Sequence, residues 1–174
     1  MSAARGLRTR RDSEVAVGDD LPELAIPLSA TVIVAGAIAS RDYQDVHHDR
    51  DLAVQRGSKD IFMNILTTNG LVGRYITDHF GPTAVLRKVA IRLGAPNYPG
   101  DTMVLTGRIE ELDEGTGTGA GTMTVTVRVV GANAIGKHVT GTVTLTLPGT
   151  GAATETETET ETTVTVSVTD EEAS

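Results

Sequence analysis

Thirteen consecutive residues, Arg41-Asp42-Tyr43-Gln44-Asp45-Val46-His47-His48-Asp49-Arg50-Asp51-Leu52-Ala53, hold two of the chain's four histidines and four aspartates. No other stretch concentrates acid–base side chains in this way. Asp42 and His47 lie five positions apart, close enough to share one short loop and address one water molecule. The carboxylate would hold and deprotonate that water, and the imidazole would orient it and help deliver the proton. Other readings compete for the same residues. His47 with His48, Asp49 and Asp51 has the ligand types of a metal site, but an excess of aspartate equally suits a solvated loop. Taken singly, Asp42 would pass for a loop cap and His47 for a surface histidine. Asp49 is expected to order the loop by hydrogen bonding, and no metal is expected.

The elements around this stretch have to position it. Residues 1–20 are polar, charged and aperiodic, and read as a disordered arm. Residues 21–27 form an extended lead-in punctuated by Pro22 and Pro27. Ala30 to Ala39 is a continuous apolar run and reads as a buried strand. Residues 58–80 read as a long helix, with Ser58 as N-cap, Asp60 in the first turn and an apolar stripe through Ile61, Ile65, Val72 and Ile76. Gly70 and Gly73 within it suggest close approach of a neighbouring backbone. His79, Gly81 and Pro82 stop it. Strand-like segments follow at Val85–Leu93, 102–112, 122–130 and 138–147, the later ones alternating apolar and polar. One long helix against about five antiparallel strands is an α+β layer fold. His79 and His138 are expected at the surface.

Composition narrows the class of protein. The chain has 174 residues, no cysteine and 3% aromatics, so its core must come from Val, Leu, Ile, Ala and Thr. Disulfides and thiolate metal sites are excluded. The formal net charge is −8, from 15 basic and 23 acidic groups. Seven of those acids lie in residues 149–174, a Thr/Glu-rich segment without Lys or Arg, which leaves 15 basic against 16 acidic groups in the first 148 residues. The body is nearly neutral and lacks the basic patch that nucleic-acid binding needs. The tail reads as disordered. An arginine pair at 10–11 before the apolar run superficially suggests an export signal, but intervening acids and prolines interrupt it, and the run is too short to span a membrane. A cytoplasmic protein with no membrane partner is expected, with residues 21–148 as its folded domain.

With that architecture, Asp42, Val46, His47, Asp49 and Ala53 resemble the signature of the MaoC-type enoyl-CoA hydratases of the hot-dog fold, Asp-x-Asn-Pro-(aliphatic)-His-x-Asp-x-x-x-Ala. Gln44 and Asp45 stand where Asn and Pro are usual. Ala95-Pro96-Asn97-Tyr98-Pro99-Gly100-Asp101-Thr102 is similar to the family's Pro-Val-x-x-Gly-Asp-Thr turn. The stretch 41–51, followed by Gly57-Ser58-Lys59-Asp60-Ile61-Phe62-Met63-Asn64-Ile65-Leu66-Thr67, further resembles the small subunit of heteromeric MaoC-type hydratases of bacterial steroid side-chain degradation. The resemblance covers about residues 21–148. It implies a hot-dog fold, with a long central helix wrapped by the sheet, and an Asp42/His47 pair hydrating the double bond of an acyl-CoA thioester. Gln44 and Asp49 would structure the loop. The substrate would be a steroid with a short unsaturated side chain. A larger MaoC-like subunit would complete a heterodimer or heterotetramer, and coenzyme A would enter only as part of the substrate, with no other cofactor. The thioester oxygen would be met by a backbone N–H at Asn64, where the family has glycine, or at Gly57. Arg87, Lys88 and Arg92 are candidates for the phosphates of coenzyme A, or simply a wet strand face. A hot-dog thioesterase and a non-catalytic partner subunit are the rival readings.

Overall fold

The computed structural model describes residues 10, 12–114 and 122–148; the acidic segment 149–174 lies outside them. A single five-stranded antiparallel sheet runs in the order β1-β3-β4-β5-β2. Its strands are β1 (Asp20–Pro27), β2 (Val85–Leu93), β3 (Thr102–Glu114), β4 (Thr122–Ala132) and β5 (Lys137–Pro148). Three helices, α1 (Ala30–Ala39), α2 (Arg50–Gln55) and α3 (Ile65–Phe80), complete the α+β fold. The alternation in β4 buries Met123, Val125, Val127 and Val129 on one face, where Val143, Leu145 and Leu147 of β5 join the same core. Val72, Tyr75, Ile76 and Phe80 of α3 are buried in that core. Five strands are present, as expected, but one of them comes from a different part of the chain.

The exchange lies before the acid–base loop. Ala30–Ala39 is a helix, not a strand. Short apolar runs carry no period that separates the two, and this one has little amphipathic character. Ten residues and four alanines favour the helix, and Ser29 caps it by accepting the Val32 N–H. The fifth strand is β1, from the segment read as a lead-in, and it pairs with β3 from Asp20↔Arg108 to Pro27↔Thr102. Residues 12–20, read as part of a disordered arm, are tied to the body. Gly18 donates to the Ile109 carbonyl, Ile109 donates to that of Asp19, and Val15 packs on the core.

The long helix begins later than the apolar stripe suggests. Residues 58–64 are not helical because their backbone N–H groups go elsewhere: Phe62 donates to the Val46 carbonyl and Met63 to that of Asn97. Ile61 and Met63 are buried while Phe62 between them is half-buried, a period of two rather than 3.6. Ser58 is thus no N-cap; its hydroxyl donates to the Asp60 carbonyl. Asn64 caps α3.

The close approaches are not at the α3 glycines, for a Cβ on Gly70 would meet nothing within 4 Å and one on Gly73 only the Leu86 side chain at 3.5 Å. They lie at Gly36, where a Cβ would fall 2.3 Å from Thr67 Oγ1 at the crossing of α1 and α3, and at Gly141, where it would fall 2.1 Å from the Ala90 carbonyl oxygen. The Gly141 neighbour is backbone of the paired strand and cannot turn away. Gly141→Ala is expected to destabilise the fold by about 3 kcal/mol, the upper end of overpacking costs, read as a lower urea midpoint.

Candidate active site

Asp42 is placed by the end of α1. The helix closes with the Asp42 N–H on the Ala37 carbonyl and the Arg41 N–H on that of Ile38, the paired bonds of a Schellman motif. Arg41 occupies the left-handed position, φ 57°, usually given to glycine, and is the non-glycine residue with positive φ among those described. His47 comes from a 3₁₀ turn, Asp45–His47. Its Nδ1 lies 2.7 Å from the Phe62 carbonyl oxygen, so Nδ1 carries the proton and donates. The Phe62 ring meets the imidazole edge-on, with centroids 5.0 Å apart. The non-helical course of residues 58–64 is what brings that carbonyl beneath the loop.

These restraints leave His47 Nε2 3.4 Å from Asp42 Oδ2, with side chains 7% and 15% exposed. Asn64, itself only 2% exposed, fixes the carboxylate. Its Oδ1 accepts the Thr67 N–H as helix cap, which turns Nδ2 toward Asp42 Oδ2 at 3.0 Å and Ser40 Oγ at 2.9 Å. The Asn64 amide, more than any other group, holds the Asp42 carboxyl below the usual carboxylate range; partial burial opposes it, and the Gln44 N–H and the charge of His47 assist. Asp42 is therefore an anion at neutral pH. Opposite it, the Nδ1–H tautomer of His47 presents a lone pair at Nε2. Two acceptors side by side can receive the two O–H groups of one water.

The other expected residues take structural places. Asp49 caps α2 by accepting the Leu52 N–H. Gln44 supports Asp42 through its backbone N–H, 3.4 Å from Oδ1. Gly57 is the left-handed glycine of a second Schellman motif: its N–H goes to the Val54 carbonyl and that of Ser58 to Ala53, so it is not an oxyanion donor. The Asn64 N–H has no acceptor among the described residues, and at the start of α3 it lies at the positive end of the helix dipole. The metal reading disperses: His48 Nε2 faces the Tyr43 carbonyl, and among the described residues no group of three or more potential ligands is arranged for an ion. Arg87, Lys88 and Arg92 are exposed on the edge strand β2.

His138 overturns its reading as a surface residue. It is 1% exposed, with Nδ1 2.7 Å from the Ala95 carbonyl oxygen and Nε2 2.9 Å from Thr68 Oγ1. Strand alternation would set it with Thr140, Thr142 and Thr144, on the face opposite Val139 and Val143. The pairing with β4 shifts register between Gly131↔Val139 and Ala132↔Lys137, which leaves His138 out of the ladder and free to turn inward. The side-chain role of Asn64 was also missed, although an Asn just before an apolar run is a legible cap signal. The turn at 95–101 braces both halves of the site. Asn97 is fully buried and accepts the Met63 N–H on its carbonyl, while Gly100 and Asp101 exchange backbone bonds with Leu28 at the entrance to α1.

Fold and site together define a hot-dog protein with an acid–base pair at the junction of α1 and α3. No family model matches the chain. A beta subunit of 3-oxo-4,17-pregnadiene-20-carboxyl-CoA hydratase from Mycobacterium tuberculosis is 52% identical over 99 residues, which is 57% of this chain and 77% of that protein. The crystal structure of the ChsH1–ChsH2 complex from the same organism contains a chain 49% identical, matched over 76% of this chain and 98% of that one with a TM-score of 0.70. The unliganded (R)-hydratase PhaJ1 from Pseudomonas aeruginosa shares the fold at 21% identity, with a TM-score of 0.66 over 79% and 84% of the two chains. The chain belongs to the MaoC-like enoyl-CoA hydratases of the hot-dog fold.

Proposed function

We propose that this chain is the catalytic subunit of a heteromeric hydratase that adds water across the α,β-double bond of a steroid-sized acyl-CoA, in company with a larger MaoC-like subunit. The carrying observation is the Asp42–His47 arrangement, in which an ionised carboxylate and an imidazole lone pair lie 3.4 Å apart. The water they hold attacks the β-carbon as one of its protons passes to the pair. Asp42, kept ionised by Asn64, is the weaker resting place for that proton, so it anchors the water while His47 carries the proton. The electron pair of the double bond moves onto the thioester oxygen. The Asn64 N–H and the helix dipole behind it stabilise that oxygen. His47 then returns the proton to the α-carbon, and the sum is the addition of one water. No cofactor enters beyond the coenzyme A of the substrate.

The likeness to the steroid-CoA hydratase subunit and to one chain of a two-chain complex supports the substrate class and the partner. A chain without cysteine, in which no helix of the described residues is long and apolar enough to cross a membrane, fits work in the cytoplasm. The test is product analysis. The chain assembled with its partner, given 3-oxo-4,17-pregnadiene-20-carboxyl-CoA, should yield a hydroxyacyl-CoA one water heavier. Free coenzyme A without that product would instead make it a thioesterase.

A further inference from the structure

The chemistry above makes no use of His138, yet this imidazole heads a hydrogen-bond chain that ends on Asp42. Its Nδ1–H donates to the Ala95 carbonyl, and burial disfavours its charged form. Nε2 therefore offers a lone pair to the hydroxyl of Thr68, in the first turn of α3. The N–H and the hydroxyl of Thr68 both lie 3.2 Å from the Asn64 carbonyl oxygen. Asn64 in turn donates from Nδ2 to Asp42 Oδ2. Strand β5 is thereby linked to the carboxylate through three side chains and one peptide carbonyl.

The physical point is direction. Farther along, α3 sits in the core through Val72, Ile76 and Phe80, and apolar contacts tolerate small slides and rotations of a helix. A buried hydrogen bond between two side chains does not: it weakens steeply when its geometry is lost and leaves both groups unpaired. The Thr68–His138 bond selects one setting of the first turn of α3, and the Asn64 amide follows that setting. We propose that Thr68 and His138 are positioning residues for the hydration reaction, holding the Asn64 amide against Asp42 from strand β5. The inference rests on Asp42 being the carboxylate that handles water.

Hydration by the chain assembled with its partner provides the test, with folding of each variant checked by circular dichroism. Thr68→Val is expected to lower kcat on the order of 10- to 100-fold with KM within about twofold, as small misplacements of catalytic groups do. The acid limb of its pH profile should move up, since Asp42 loses its amide. Thr68→Ser should restore both. Two substitutions at 138 separate the contacts. Glutamine places its amide at the reach of Nε2 and keeps Thr68; asparagine reaches only as far as Nδ1 and keeps Ala95. His138→Gln should remain active and His138→Asn should not. Wild-type kcat and pH profile in folded Thr68→Val, or equal losses in the two His138 variants, overturn the proposal. If Thr68→Val fails to fold, the His138 pair decides. Asp42→Asn is run alongside. If it is fully active, the reading of Asp42 has failed. If it is inactive while Thr68→Val and His138→Asn are normal, the positioning role alone has failed.

Discussion

Asp42→Asn in the assembled hydratase should lower kcat roughly a thousandfold, within the range lost when a positioned acid–base group is removed. Asparagine has the same shape, and its side-chain oxygen can still accept the Asn64 amide that now lies 3.0 Å from Oδ2. The loop should hold, because Asp42 is placed by the closing bonds of α1, made by main-chain groups that the substitution leaves intact. What disappears is the charge. A neutral amide neither holds a water by a charge-assisted bond nor stabilises the imidazolium that His47 becomes once it takes the proton. The loss should therefore appear in kcat, with KM and melting temperature near those of the wild type. A thousandfold change corresponds to roughly 4 kcal/mol in the barrier. Full activity would move the catalytic pair to another chain and leave this one a supporting subunit.

Asn64→Asp should be nearly as damaging, by about a hundredfold at neutral pH, and for a reason that pH exposes. Aspartate is as good an N-cap as asparagine and suits the helix dipole, so the Thr67 N–H keeps its acceptor and α3 keeps its start. The donor to Asp42 is replaced by a second carboxylate. Two carboxylates in contact cannot both ionise easily, so one of them titrates well above its ordinary value. In the wild type the Asn64 amide is the largest influence holding Asp42 low, so the catalytic anion persists as pH falls well into the acid range. In the variant that anion is lost as pH falls through a raised value, and the acid limb of the kcat/KM profile should shift to higher pH. Asn64→Ser, which retains a cap and one hydroxyl donor, should fall between the two. An unshifted acid limb in Asn64→Asp would mean that the amide is not what tunes Asp42.

The two residues differ in how legible they are. Asp42 and His47 stand in one loop, and the chemistry of a carboxylate with an imidazole is written in their types and spacing. In the sequence Asn64 stands out for its backbone, as the residue in a glycine's place, while its side chain does the visible work. The reason is distance along the chain: the Asn64 amide and Asp42 are 22 positions apart and meet because α1 crosses α3 at Gly36. His138 is farther still, 70 positions from Thr68, and a lone histidine beside a glycine turn gives no hint of a buried partner.

Local pattern alone determined the four alternating or apolar strands after residue 84, the body of α3 from Ile65 to Phe80, and the neutral body with its acidic extension. Each depends on periodicity or composition that near neighbours carry. The tertiary structure decided what local pattern leaves degenerate. The apolar run Ala30–Ala39 could serve as strand or helix, and it became a helix because β1 takes the edge place beside β3. Residues 58–64 carry a helical stripe, yet they are not helical, because Val46 and Asn97 claim the N–H groups of Phe62 and Met63. That course sets the Phe62 carbonyl under His47 and Asn64 against Asp42. The sequence named the two groups that do the chemistry. Long-range hydrogen bonds fixed their separation, tautomer and charge, because those depend on partners far away in the chain.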